Sequence, residues 1–442
     1  MAVSPDLKLL CATRPKHCFP DQRAQWLEPA GVCSLAGYQD LITMDIGGTS
    51  LDVCLIQGGI ADTSTTREID MFPVSTPMLG VHTVGAGGGS IVRVDPVGRV
   101  TVGPDSMGDR PGPACYGLGG NQATLTDVNL LMGLLDPAGF PGCEVPFDRV
   151  LAERAVTKQI CSPLGVDLDT AARGVYEVAN NQISEAIRTI TVEQGSDPRQ
   201  FSLVAFGGGG PLHASSVAQE LGIARIIIPD HPGLFSAHGI AEADFSHDYV
   251  RSMIGPVTEI ATSHVIDRFA ELERQASRDL KGEGVMSADR EITLHMDMRY
   301  VGQTTEIQVP IGSNVNALVN GFTFAEARFH ELHQQRYSYN VPDEPVELVN
   351  LRLYAVGRVA RVLPQLPPAV TSRPTPVGTR TILLPGGSDA AKVPIYTRNA
   401  LPPGAGVAGP ALVEEASSTT LLLADMTLQV DPYPNLIIEP SG

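Results

Sequence analysis

The 442 residues are enough for two or three domains with a large buried core, and 43% apolar with 18% charged residues is an ordinary globular balance. A formal net charge of -18, with no run of Lys or Arg to offset it, argues against a duplex nucleic-acid partner and against an anionic membrane surface, because both need clustered base. A small anion such as a nucleotide stays open, since backbone N–H groups and a metal ion can hold it, and no apolar run approaches the ~18 residues of a membrane span.

Residues 1–37 hold the single Trp, Trp26, show no clear period and read as a loosely structured lead-in. Their first part, MAVSPDLKLLCATRPKH, has too short an apolar core for a signal peptide. The seven cysteines are scattered and odd in number, with no CxxC pair, and read as reduced thiols of a cytoplasmic protein. Leu41–Met44 and Leu51–Ile56 read as strands on either side of DIGGTS, followed by a Gly58-Gly59 turn. In VGAGGGSIVRVDPVGRVTVGP, Ser90–Val94 and Val100–Val102 read as short strands around Pro96–Gly98. After the loop RPGPACYGLGG, Thr126–Leu135 reads as a short helix capped by Thr126 or Asp127.

The clearest helix is Ala171–Gln194, where Tyr176, Ala179, Ile183, Ile187 and Ile190 recur at spacings of three and four. Phe201–Phe206 reads as a buried strand, followed by GGGGPLH, a helix through Ser215–Leu221 that ends at Gly222, and a strand at Ile226–Ile228, together a βαβ unit. The pattern changes near residue 250. A helix is expected over Val265–Leu280, an alternating strand over Ile292–Tyr300, a helix around Ala325–Leu332 and a strand over Val349–Ala355. Short strands between Pro-rich turns follow from 360. The boundaries expected are 1–37, 38–250 and 251–442, with a softer break near 365.

Two glycine turns can carry chemistry. In DIGGTSLD, Asp45 ends a strand, Gly47 and Gly48 let backbone approach a ligand, and the turn N–H groups with the Thr49 and Ser50 hydroxyls can donate to phosphate oxygens. A carboxylate at a strand end can hold Mg²⁺ through water. The alternative is a hairpin with a Gly-Gly turn in which Asp45 and Thr49 only satisfy backbone. The second turn, Gly207–Gly210 (Gly207, Gly208, Gly209 and Gly210), lies between a strand and a helix whose N-terminus favours negative charge. It matches neither GxGxxG with an acid about twenty residues on nor GxxxxGK[ST], so a Rossmann dehydrogenase and a P-loop NTPase are both disfavoured.

Further candidates carry a plain reading beside the functional one. His82 precedes a glycine loop and is a substrate or partner contact, or structural. Asp127, with Asn129, is a polar site group or a helix cap. His213 lies near the nucleotide or caps its own helix. Cys115 reads as inert, with no basic residue closer in sequence than Arg110. His330 and His333 read as a solvated helix face for want of a third metal ligand, and His247-Asp248 as a surface loop. No GxSxG supports a serine-hydrolase elbow.

Beyond the turns, LITMDIGGTSLDV, VGAGGGSIVRVD, VGPDSMGDRPGPACYGLGG, TLTDVNLLMG, AFGGGGPLHA, PGLFSAHGIAEADFSHDYVRS, MDMRYVGQTTEI and AGPALVEEASSTT occur in order across residues 38–435. In these motifs the chain resembles the hydantoinase A/5-oxoprolinase family, which includes acetone carboxylase beta-type subunits. The resemblance implies an α/β fold, part of an actin-like ATPase (hexokinase/actin/Hsp70-type) domain followed by an α+β, β-rich C-terminal region. It implies ATP-dependent hydrolysis of a cyclic amide such as a hydantoin or 5-oxoproline, by phosphorylation of the amide oxygen with ATP and Mg²⁺ as cofactors. The chain would be the A-type subunit, working with a hydantoinase B-type subunit or domain. Residue by residue, Asp45–Ser50 resembles the second phosphate loop, with Asp45 as a Mg²⁺ or water-orienting carboxylate, and Gly207–Gly210 the adenosine loop. Asp127 is carried as a second catalytic candidate, and His82 and His213 as substrate or partner contacts.

The family's first phosphate loop, DxGGTxTD, has no counterpart before residue 41, and where the family shows SGPAGG this chain reads LEPAGV, Leu27–Val32. The chain thus resembles the C-terminal part of a hydantoinase A protein, without the family's usual N-terminal domain, and half of the phosphate clamp is absent unless a separate chain carrying the first phosphate loop supplies it. The alternatives are a truncated, catalytically inert nucleotide- or partner-binding fragment, and the beta-type subunit of an ATP-dependent ketone carboxylase.

Overall fold

The computed structural model describes residues 37–441, apart from 62, 65–66, 70–71, 75–77, 140–145, 193–194, 243, 320, 360–373 and 388. The lead-in expectation for 1–37, Trp26 and the LEPAGV stretch thus lie outside the described residues, save Gly37. The chain forms two compact units, 1–241 with 363–442, and 242–362.

The first unit begins with strands β1 (Leu41–Ile46), β2 (Leu51–Gln57) and β3 (His82–Val84), and a separate hairpin of β4 (Ser90–Val94) and β5 (Val100–Ser106). Helix α1 (Leu125–Leu131) and the long α2 (Leu168–Thr191) follow. The βαβ unit is β6 (Ser202–Phe206), α3 (Gly210–Leu221) and β7 (Ile226–Ile228), and α4 (Phe235–Glu242) closes this part of the chain. β1 pairs parallel with β6 and antiparallel with β2, and β6 pairs parallel with β7. The central strands stand in the order Ile60–Ala61, β2, β1, β6, β7, with β3 also paired to β2.

β1 is nearly continuous in apolar residues because it is the middle strand and is covered on both faces. α2 starts where the Asp167 side chain accepts from Thr170 N–H, and it buries Tyr176, Ala179, Ile183, Ile187 and Ile190. Each of those isoleucines contributes about 1.5–3 kcal/mol by leaving water. The short helix departs from its expected cap: Thr124 is the N-cap, and Asp127 is its partner three residues on, each side chain bonded to the other's backbone.

In the second unit, β8 (Phe245–Pro256), β9 (Arg290–Tyr300), β10 (Ile307–Gly312) and β11 (Val346–Gly357) form an antiparallel sheet in the order 8-11-9-10. Helices α5 (Thr262–Gly282) and α6 (Thr323–Tyr337) share its apolar core, to which Phe269, Leu272, Met296 and Phe329 belong. Two expectations change here. His247 lies within β8, not in a loop, and bonds Glu283 at 3.0 Å. His333 is fully buried, bonded to the Tyr339 carbonyl and to Gln303, while His330 meets the Tyr300 hydroxyl at 2.7 Å, so this helix face is packed and not solvated.

The chain then returns to the first unit. β12 (Gly406–Ala408), β13 (Met426–Val430) and β14 (Leu436–Pro440) extend the main sheet beyond β7, and a four-stranded sheet forms from Gly378–Leu383, Ala390–Thr397, Ala411–Glu414 and Thr419–Leu422. The compact units therefore divide the chain differently from the sequence regions 38–250 and 251–442. Leu428, Leu436 and Ile438 complete the core built by β1, β6 and β7.

Candidate functional site

Both glycine turns lie at the C-terminal ends of neighbouring parallel strands, β1 and β6, the edge at which open α/β sheets bind ligands. The first turn is closed by the Gly47 N–H donating to the Ser50 carbonyl at 3.0 Å. The second is tied to it by the Gly209 N–H donating to the Ile46 carbonyl at 2.9 Å. The turn after β1 is thus both a hairpin connection and one side of a two-turn arrangement.

Gly207 has φ +77°, and a Cβ there would collide with Asp45 Oδ1 and lie 2.5 Å from the Ile46 carbonyl oxygen. Only glycine lets the two turns approach this closely. A third glycine loop supports the first: Gly88 and Gly89 N–H donate to the Gly47 and Gly48 carbonyls at 2.9 and 2.6 Å. A Cβ on Gly87 would sit 2.6 Å from Thr49 N and 2.7 Å from Ser50 N, so the bare glycine leaves the space beside those amides open. Among the described residues, no hydrogen bond engages the N–H of Gly48, Thr49, Ser50 or Gly208. Gly47, Gly48, Thr49 and Gly208 are exposed. Unpaired, clustered backbone donors are what an anion needs.

Asp45 lies half-buried at this edge, with Ser236 Oγ donating to its Oδ2 at 2.8 Å. Burial raises its carboxyl pKa; the Ser236 bond works against the rise, and the charge of Asp52 adds to it. Asp52 is its cross-strand partner, held by Thr83 Oγ1 at 2.6 Å and Ser50 Oγ at 3.3 Å. Among the described residues no group of three His, Cys, Asp or Glu side chains could hold a metal by itself. Asp45 and Asp52 still fit a hard cation whose other ligands are phosphate oxygens and water, as Mg²⁺ prefers.

Asp127 and His213 are bound differently. The buried Asp127 carboxylate accepts from Cys115 N at 2.7 Å, Ala114 N at 3.2 Å, Thr124 N at 2.9 Å and Thr124 Oγ1 at 2.8 Å. His213 is fully buried and stacked on Tyr176; it bonds Asn180 Oδ1 at 2.8 Å and Asn129 Nδ2 at 3.3 Å. Burial lowers its pKa to about 4, so the ring is neutral, donating from Nδ1 and accepting at Nε2. It stands inside α3 and joins that helix to α1 and α2 through Asn129 and Asn180, while Asp127 ties Ala114 and Cys115 to the cap of α1. His82 lies on β3 beside α2, in a groove of about 430 Å³ shared with Val84, Gln182 and Glu185. Cys115 is buried, and burial pushes its thiol pKa up, consistent with an inert group.

Several site residues were passed over in the sequence. Asp52 stands in the DIGGTSLD motif without an assigned role. Ser236 and Ser417 stand in the PGLFSAHG and EEASSTT motifs, with no local signal tying either to the turns. Ser417 lies against Gly233, where a Cβ would be 2.6 Å from its own, and its carbonyl oxygen would be 3.6 Å from a Cβ on Gly208.

Family models for the hydantoinase/oxoprolinase domain and its C-terminal domain match residues 30–249 and 257–434. The chain belongs to the hydantoinase/oxoprolinase family. It is 31% identical over 420 residues to the caprolactamase alpha subunit of Pseudomonas jessenii, covering 93% of this chain and 60% of that one. The nucleotide-free structure of an acetone carboxylase, described as ATP-dependent, matches with a TM-score of 0.84 at 25% identity, over 95% of this chain and 61% of that chain. The crystal structure of the Pseudomonas jessenii ATP-dependent caprolactamase matches with a TM-score of 0.73 at 29% identity, again over 95% and 61%. The fold is thus α/β of the actin-like ATPase type, and the chain spans about three-fifths of the length of these relatives. Among the described residues no helix is long and apolar enough to cross a membrane.

Proposed function

We propose that this chain is the A-type subunit of an ATP-dependent cyclic amide hydrolase, acting on a hydantoin- or 5-oxoproline-type ring with a B-type subunit. The observation that carries the reading is the set of unpaired N–H groups of Gly48, Thr49, Ser50 and Gly208 beside a half-buried carboxylate at the shared end of β1 and β6. Mg-ATP, when bound, supplies an activated phosphoryl group for the amide oxygen. The residues of this chain then bind and position. The Gly48–Ser50 amides and the Thr49 hydroxyl donate to phosphate oxygens, and the bare Gly208 leaves room for the nucleoside end. Asp45, its Oδ2 held by Ser236, offers Oδ1 to the cation or its waters. Such a site acts by charge neutralisation and alignment, with no covalent intermediate on the protein.

The turns lie on one unit, so the reading includes a second wall that carries the other phosphate loop, on the same polypeptide or on another. A ketone carboxylase subunit is the second reading, favoured by the higher TM-score to acetone carboxylase, 0.84 against 0.73. An inert nucleotide- or partner-binding fragment is the third. ATP turnover by the assembly that holds this chain, the first loop and a B-type partner, measured with a cyclic amide panel and a ketone panel, separates them. Stimulation by a cyclic amide supports the first, stimulation only by a ketone the second, and none by either the third.

A further inference from the structure

Two of the free N–H donors of the first turn belong to peptide groups that are hydrogen-bonded at their carbonyl end. The Thr49 N–H shares a peptide with the Gly48 carbonyl, which accepts from the Gly89 N–H at 2.6 Å. The Gly89 N–H shares a peptide with the Gly88 carbonyl, which accepts twice from Thr126, from its N–H and from its hydroxyl, each at 2.8 Å. A second chain of peptides runs beside the first. The Gly89 carbonyl accepts from the Met107 N–H at 2.9 Å, the Ser90 N–H of that peptide donates to the Gly87 carbonyl at 3.0 Å, and the Gly88 N–H donates to the Gly47 carbonyl at 2.9 Å. The Gly48 N–H is its open end.

Each chain sets peptide dipoles head to tail. A carbonyl that accepts a bond makes the N–H of the same peptide a stronger donor, by about 10–30% per bond. The Gly208 N–H has no such support, since among the described residues nothing donates to the Gly207 carbonyl. The first chain also has a firm anchor. Thr126 stands in the first turn of α1, whose start is closed by Thr124 and Asp127 and tied through Asp127 to Ala114 and Cys115. A Cβ on Gly88 would lie 2.8 Å from Thr126 Oγ1, so the close approach of the hydroxyl requires glycine.

We propose that Thr126 is a positioning residue that acts through the Gly88–Gly89 and Gly48–Thr49 peptides to fix and polarise the Thr49 N–H at the anion end of the first turn. That a phosphate sits there rests on the function proposed above; the chain of peptides does not.

The test compares the full wild-type chain with Thr126→Val, Thr126→Ala and Thr126→Ser. Valine keeps the shape and the backbone bond and removes only the hydroxyl. Alanine carries the same expectation and reports where the valine variant does not fold. Without ligand, amide NMR should show the Gly89 and Thr49 nitrogen resonances displaced in Thr126→Val, with Gly48 and Gly208 in place, and the wild-type pattern restored in Thr126→Ser. The Mg-ADP dissociation constant should rise about 5-fold in Thr126→Val, the worth of one hydrogen bond, and stay within about twofold in Thr126→Ser. Resonances that stay put, or that move equally at Gly48 and Gly208, would overturn the relay. So would a Thr126→Ser chain that behaves like Thr126→Val, because the effect would then belong to packing. An unchanged affinity in Thr126→Val, in a wild type that binds, would overturn the role at the anion end. A wild type that binds no Mg-ADP counts against the nucleotide reading, while the ligand-free resonances still decide the relay.

Discussion

The open edge of the sheet and the buried polar groups of α1 and α3 hold chemically similar groups in opposite states. At the edge, Gly48, Thr49, Ser50 and Gly208 present N–H groups with no partner, and a carboxylate carries one hydroxyl bond. In the buried polar groups, Asp127 in the first turn of α1 has four donors and His213 on α3 has both ring nitrogens engaged. Both regions contain an acid that stands beside a glycine loop in the sequence, Asp45 and Asp127. The difference teaches that a titratable group near a glycine loop is informative through what remains unpaired around it, because satisfied polar groups stabilise and unsatisfied ones await a ligand.

Substitutions that act on one region and spare the other sharpen this contrast. The largest effect is expected for Asp45→Asn, which should lower ATP turnover of the assembled enzyme by roughly 10³-fold, as removal of a charge-stabilising group does. Stability should not fall with it. A carboxyl whose folded pKa is raised is penalised once ionised, so at pH 7 the neutral amide should leave the unfolding free energy unchanged or slightly higher. Urea melts beside the kinetics show whether activity and stability part in this way. Asp127→Ala should do the reverse, costing about 3–4 kcal/mol by orphaning buried donors, with Mg-ADP affinity of the folded fraction unchanged.

His213 gives a pH signature. Its folded pKa of about 4 lies below its unfolded value near 6.5, so the unfolded state binds the extra proton. Above pH 6.5 there is no penalty; as pH falls from 6.5 to 4 the fold loses up to about 3 kcal/mol. Subtracting the pH–stability curve of His213→Gln from that of wild type should isolate this slope; parallel curves would show that the burial of His213 does not govern it. The smallest effect is expected for Thr49→Ala, a rise of less than about 10-fold in the Mg-ADP dissociation constant, because the backbone amides do most of the holding.

Much of the architecture was legible in the sequence because periodicity records burial. The 3.6 spacing of Ile183, Ile187 and Ile190 marked α2, and the run SLVAF before four glycines marked β6 and the βαβ unit. The boundaries blurred where local chemistry competes: the Thr124 cap was missed because Thr126 and Asp127 offer the same side-chain types two and three residues on. The return of 406–440 to the main sheet is a long-range pairing between Ile226–Ile228 and Leu436–Ile438 that no local pattern encodes. The same holds at the site. DIGGTS and GGGG announce themselves, because close approach requires glycine, while Ser236 reaches the site only through a contact 191 positions away in sequence.

The central claim is that these two turns hold a nucleotide, its phosphates at the first and its nucleoside end at the second. Amide-resolved NMR of the full chain during titration with a non-hydrolysable Mg-ATP analogue tests it most directly. The account predicts that the largest shifts fall on the Gly48, Thr49, Ser50 and Gly208 amides and that they vanish in Asp45→Asn. Amides that stay unmoved at millimolar analogue, or shifts centred instead on the His82 groove, would contradict it.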